Sequence, residues 1–134
     1  MKKIIAQSAL IVAIIAAPAL ASPQSRLDGH WRNPKGSVVV KVAPCGDGYC
    51  GTVVEASAHA KETASKGGTP HLIGTQILSD MHPDGSGAFK GQVFDPKRNL
   101  HAPATIRLLD GDTLVVKGCV LAFVCKEQRW TRVS

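Results

Sequence analysis

The sequence predicts an all-β domain, a small antiparallel sandwich or barrel of about seven or eight short strands. Three observations carry that prediction. Runs rich in β-branched and aromatic residues recur along the chain, as in Val38–Val42 and Thr113–Val116. Turn signals such as Asp84-Gly85, Asp95-Pro96 and Asp110-Gly111 separate them at short, regular intervals. One stretch alone departs from this pattern: 56–66 is rich in Ala, with Lys and Glu, and has Thr63 as its single β-branched residue.

The chain opens with a leader. Lys2 and Lys3 form a basic start, Ile4 to Ala17 an apolar run, and Pro18 breaks it ahead of Ala19-Leu20-Ala21, a small-x-small cleavage site. That pattern reads as a secretory signal peptide over 1–21, with a single domain over 22–134. Its style points to a bacterial periplasmic or secreted protein. No lipobox cysteine follows Ala21, so a soluble product with no stable membrane insertion is expected. No later apolar run approaches the ~18 residues of a membrane span.

Ser22 to Asp28 reads as an exposed lead, and Gly29-His30-Trp31 opens the first strand before a Pro34-Lys35-Gly36 turn. Val38 to Val42 and Gly51 to Glu55 pair as a hairpin across Cys45–Cys50, with Asp47-Gly48 as the turn. The Ala-rich 56–66 stretch fits a short helix stopped by Gly67, or a loop. Leu72 to Asp80 has scattered apolar residues and no clear period. Strands then follow at Ala88–Phe94, Ala104–Leu109, Thr113–Gly118 and Lys126–Val133, with Val120–Val124 as a hairpin end. The last strand puts Glu127 and Arg129 on one face and Gln128, Trp130 and Arg132 on the other.

Charge narrows the function classes. The net charge is +6, and loss of Lys2 and Lys3 with the leader makes it +4. With 10 acids against it, that charge is too mixed for a dedicated nucleic-acid binder. Arg26, Arg32, Lys35 and Lys41 fall near the mature N-terminus, and Lys97, Arg98, Arg107, Lys126, Arg129 and Arg132 spread through the second half. Ordinary solubility accounts for them, and weak attraction to anionic envelope surfaces is the rival reading.

Four cysteines in an oxidising compartment imply two disulfides. Three pairings are possible. Turn geometry favours Cys45 with Cys50 and Cys119 with Cys125, while loop entropy favours crossed pairing. A four-cysteine zinc site is the rival, but the wider second gap and the compartment argue against it, and no metal or cofactor is expected.

Gly29-x-Trp31 near the start and a late Arg132 resemble the signature of lipocalin-type barrels. There the indole plugs one end and the guanidinium stacks across it. The fuller pattern resembles the DUF2147 family of secreted bacterial proteins. The matching pieces are Gly29-x-Trp31, Cys50-Gly51, Gly87-x-Phe89-x-Gly91 running into Asp95-Pro96, Asp112-Thr113-Leu114, Gly118-Cys119, and Cys125 before Gln128-x-Trp130-Thr131-Arg132. After Asp-Pro this chain reads Lys97-Arg98-Asn99-Leu100-His101, where the family has Gly-Lys and an aromatic. The resemblance implies a calycin-like antiparallel β-barrel and no particular activity.

A barrel makes an apolar or amphipathic small molecule the first ligand class. Its expected contacts are Trp31, Val40, Phe89, Ile106, Leu108, Val116 and Arg132, with Val38, Val42, Val93 and Leu114 on the same inward faces. The same residues fill a barrel that has no cavity. The alternative is a protein–protein module, an inhibitor or envelope partner, with Tyr49 as its anchor. Catalysis is not expected: no Gly-x-Ser-x-Gly occurs, and His30, His59, His71, His82 and His101 have no i,i+2 or i,i+4 spacing.

Overall fold

Eight antiparallel strands follow one another around a closed barrel, which β1 and β8 seal. The strands are β1 (Gly29–Arg32), β2 (Val38–Cys45), β3 (Gly48–Ala56), β4 (Gln76–Pro83), β5 (Phe89–Asp95), β6 (Leu100–Asp110), β7 (Thr113–Val120) and β8 (Val124–Arg132). A helix, α1 (Ala58–Lys66), sits between β3 and β4. This is a computed structural model, and it describes residues 8–15, 26–120 and 124–134. The leader and its cleavage site fall largely outside the described residues, as does the tip of the β7–β8 hairpin.

Strand alternation divides the barrel into two ends. The β2–β3, β4–β5 and β6–β7 turns meet the chain start near Trp31. The β1–β2 turn, α1, the β5–β6 turn and the β7–β8 hairpin meet at the other end, called here the α1 end. Residues of even number on β2, β6, β7 and β8 and of odd number on β5 face inward. Registers such as Ile106↔Val116, Leu108↔Leu114 and Leu114↔Trp130 stack these residues into layers.

Both cysteine pairs close locally, Cys45–Cys50 and Cys119–Cys125. The second spans a directly opposed pair in the β7–β8 ladder. The first is diagonal, because Cys45 opposes Gly48 and Cys50 opposes Ala43. The hairpin turn is therefore tighter than the sequence suggests. Gly46-Asp47 forms it, with Gly46 at φ 58°, and both strands run on through their cysteines.

β4 is the strand the sequence hides. Ile77 and Leu78 are adjacent and both buried, Asp80 has φ 52°, and the β4–β5 register slips between Ser79 and His82. Such a bulge breaks the period of two on which strand recognition rests. It also explains Gly91 on β5, where any Cβ would run into the Ser79 and Asp80 carbonyls. β6 begins four residues earlier than expected, at Leu100. Its Pro103 reads as a strand breaker, but the pairing with β7 starts at Ala104, one residue later.

The helix forms as one of the two expected alternatives. The Ser57 hydroxyl caps it by accepting from Ala60 N–H at 3.0 Å. Gly67 ends it in an ordinary right-handed conformation, φ −83°. The reason for glycine here is packing: a Cβ would collide with the Lys97 carbonyl. Thr69 Oγ1 donates to Pro96 O at 2.9 Å, which ties the helix exit to the β5–β6 turn.

Candidate functional site

The two barrel ends differ in chemistry. At the Trp31 end the indole is fully buried and Nε1–H donates to Leu27 O at 3.0 Å. The Arg132 guanidinium stacks over the ring, 4.2 Å from its centroid. Its Nε donates to Gly111 O and its Nη1 to Asp28 O, each at 2.8 Å, and its Nη2 donates to Arg26 O. One side chain thus joins β8, the chain start and the β6–β7 turn. Gly29 lies under it with φ 143°, and a Cβ there would sit 2.6 Å from Ser134 O. This end is sealed.

The expected contact residues fill the barrel. Trp31, Val40, Phe89, Ile106 and Val116 are buried together with Val42, Val53, Leu78, Met81, Leu114 and Trp130, and Leu108 packs against them half-exposed. Val38 and Val93 join from the rim. The inward positions become small or polar toward the α1 end: Ile106, Ala104 and Ala102 on β6, Trp130, Gln128 and Lys126 on β8. Among the described residues the buried inward side chains pack as one cluster. Gly118 is approached by Val93 so closely that a Cβ would lie 2.9 Å from its Cγ1.

Tyr49 is partly buried and packs against the core. Its ring meets Phe89 edge-on at 6.1 Å, because it shares the inward face of β3. Burial and the nearby Asp28 carboxylate push its phenol above the usual 10.0. The histidines are dispersed. His30 Nδ1 lies 2.9 Å from Ser134 Oγ, where the chain end is tied to β1, and His101 tilts against Phe94 at 4.7 Å. Among the described residues no three metal-ligating side chains cluster, and no helix is long and apolar enough to cross a membrane.

Two depressions of the surface lie at the α1 end. One, of about 210 Å³, is lined by Lys61, Pro70, His71, Leu72 and Ile73. The other, of about 220 Å³, lies between the β1–β2 turn and the helix start, with Arg32, Val38, Glu55 and Ser57 among its walls. Exposed Ile73, Leu100 and Val124 belong to the same end, as do Lys35, Lys97 and Lys126. No motif in the sequence announces this grouping, since these residues are spread over about ninety positions.

A closed eight-stranded antiparallel barrel, plugged by a buried Trp under a stacked Arg, has the lipocalin-like architecture. The chain belongs to the DUF2147 family, described as "Uncharacterized protein conserved in bacteria", which it matches over residues 29–132. Among solved structures it is similar to protein HP1028 from the human pathogen Helicobacter pylori, described as belonging to the lipocalin family. That likeness has a TM-score of 0.63 at 15% identity and covers 81% of this chain and 83% of the other. It is a likeness of fold. No curated protein matches the chain.

Proposed function

We propose that this is a non-enzymatic binding protein for an apolar or amphipathic small molecule, working outside the cytoplasm and held to its ligand at the α1 end of the barrel. One observation carries the reading: two depressions lie at the end opposite the Trp31 plug, and the exposed Ile73 lines one of them. Apolar surface beside a concavity gives a ligand something to bury, at about 25 cal/mol per Å² removed from water. The barrel interior is already occupied by side chains, so the ligand sits on the rim and between rim elements. Two disulfides fit an oxidising compartment, and the periplasm or the exterior of a bacterial cell is the location proposed.

The filled interior also favours a second reading, a protein–protein module. Each depression is smaller than the ~300 Å³ of ordinary ligand pockets. In that case the same end is the contact surface for an envelope protein.

A native mass spectrum of the protein purified from its own cells separates them. Extra mass lost on denaturation, restored by adding a medium-chain amphiphile, is expected for a carrier. A bare mass, with no uptake of amphiphile and a co-purifying protein, moves the assignment to the partner module.

A further inference from the structure

The depression between the β1–β2 turn and the helix start carries opposite charges on its two sides. Arg32, Ser37, Val38, Val39, Glu55 and Ser57 line it. The strand register sets their order. Arg32 on β1 opposes Val39 on β2, and Val39 opposes Glu55 on β3. Directly opposed residues share a face of the sheet. Val40 opposes Trp31 inside the barrel, so the row Arg32, Val39, Glu55 faces outward. Neighbouring strands lie about 4.8 Å apart, which puts the two charged residues about 10 Å apart at the backbone, with Val39 between them.

Val39 is buried, and Arg32 and Glu55 are exposed on either side of it. The two charges do not close on each other: among the described residues the ion pairs are Lys66–Glu62 and Arg98–Asp95. The Arg32 stem lies beside the β1–β2 turn, where a Cβ on Gly36 would meet its Cδ at 3.7 Å. Hydrogen bonds fix the wall that joins them. Asn33 Oδ1 accepts from the N–H of Ser37 at 2.8 Å and of Val38 at 3.0 Å, and the Ser57 N–H donates to Ser37 O at 2.8 Å. The Ser37 hydroxyl oxygen accepts from Asn33 Nδ2 and the Ser57 hydroxyl oxygen from Ala60 N–H, each at 3.0 Å. Each hydroxyl keeps its own proton to donate.

We infer that this depression binds a small zwitterion, an α-amino acid with an apolar side chain. The guanidinium of Arg32 takes the carboxylate in its planar fork, and the serine hydroxyls are further donors on that wall. Glu55 takes the ammonium. Val38 and Val39 receive the side chain. An ammonium and a carboxylate on one carbon, each with a hydrogen bond of about 2.9 Å beyond it, bridge a gap of two strands. The volume of about 220 Å³ equals roughly seven waters at about 30 Å³ each, the bulk of a mid-sized amino acid. The inference rests on the proposed function for a small ligand at the α1 end, and names its class.

The test is calorimetric titration of the purified chain with L-leucine, isocaproate (no ammonium), isoamylamine (no carboxylate) and decyl maltoside. L-leucine is expected to bind saturably, and the two single-charge analogues at least tenfold more weakly. Arg32→Gln and Glu55→Gln are each expected to weaken L-leucine at least tenfold. Lys41→Gln, on the outer face of the same strand and outside the depression, is expected to leave it unchanged. The double variant Arg32→Glu with Glu55→Arg is expected to recover binding, because a zwitterion can turn round. Thermal melts confirm that each variant folds. In NMR the amides of Ser37, Val39 and Ser57 are expected to shift on binding, and that of Ile73, in the other depression, to stay.

Three results overturn the inference: isocaproate or isoamylamine binds as well as L-leucine, both single variants bind like the parent, or L-leucine does not bind. If decyl maltoside still binds in the last case, the amphiphile reading stands without the zwitterion. If neither binds, the proposed function falls too.

Discussion

Arg132 stacks on Trp31 with its guanidinium carbon 4.2 Å from the ring centroid, while its nitrogens donate to three backbone carbonyls of segments it does not belong to. The pair is the closure of the barrel: β1 and β8 meet at Trp31↔Arg132. A cation over an indole contributes about 0.5–2 kcal/mol, and hydrogen bonds from a charged donor about 1.5–3 kcal/mol. The contact therefore acts mainly as a staple of the chain ends.

Arg132→Ala is expected to destabilise the fold by about 2–4 kcal/mol, read from the midpoint of urea unfolding. Arg132→Lys is expected to recover little of this, because an ammonium lacks the planar fork that reaches several carbonyls while lying flat on a ring. Full recovery by Lys would show that charge alone matters at this position.

Trp31→Phe keeps an aromatic plug and removes the donor to Leu27 O. A buried carbonyl left without its partner costs about 1–3 kcal/mol. The expected effect is a loss of stability of that size with the β-sheet circular dichroism unchanged.

Gly91→Ala and Gly111→Ala make a matched pair. A Cβ at Gly91 collides with the Ser79 and Asp80 carbonyls, whereas one at Gly111 meets nothing within 4 Å. The first variant is expected to lose several kcal/mol or fail to fold, and the second to stay within about 0.5 kcal/mol of the parent. Equal melting temperatures would show that the β4 bulge relaxes freely.

Cys119→Ser with Cys125→Ser opens a loop that the two cysteines close at a separation of 6. Chain entropy puts the loss at about 2 kcal/mol. The denatured mass of the parent is expected to be four hydrogens below the reduced value, with peptide mapping returning Cys45–Cys50 and Cys119–Cys125.

Acid stability has an identified contributor. The hydroxyl and N–H of Ser86 donate to Asp84 Oδ1 at 2.6 and 2.8 Å, and they hold that carboxyl below its usual 3.8. The Asp112 N–H does the same for Asp110. A depressed carboxyl stabilises the fold at any pH above its unfolded value, and the contribution is lost as pH falls through the folded one. Carboxyl NMR is expected to show both groups titrating late in acid. Asp84→Asn is expected to flatten the stability decline below about pH 4.

Much of the architecture was legible in the residues. Val38–Val42, Thr113–Gly118 and Lys126–Arg132 alternate or branch as strands must, Asp-Gly and Asp-Pro pairs mark the turns, and both disulfides join cysteines that a hairpin brings together. These features are short-range: each depends on a few neighbouring side chains and the backbone they restrict. The Gly29-x-Trp31 plug under Arg132 was readable as well, through its resemblance to a known barrel signature. β4 was not, because the bulge at Ser79–Met81 exists to fit β5 and leaves no period of its own. Gly67 looked like a helix stop, and its need for glycine comes from the Lys97 carbonyl across the rim. The use of the inward faces was open too. Val40, Phe89, Ile106 and Val116 suit a lined cavity or a filled one, and the closeness of Gly118 to Val93 decides for filling. Local pattern sets which segments become strands and where they turn; closure of the ring sets which residues face each other across it, and that distance is absent from any window of the sequence.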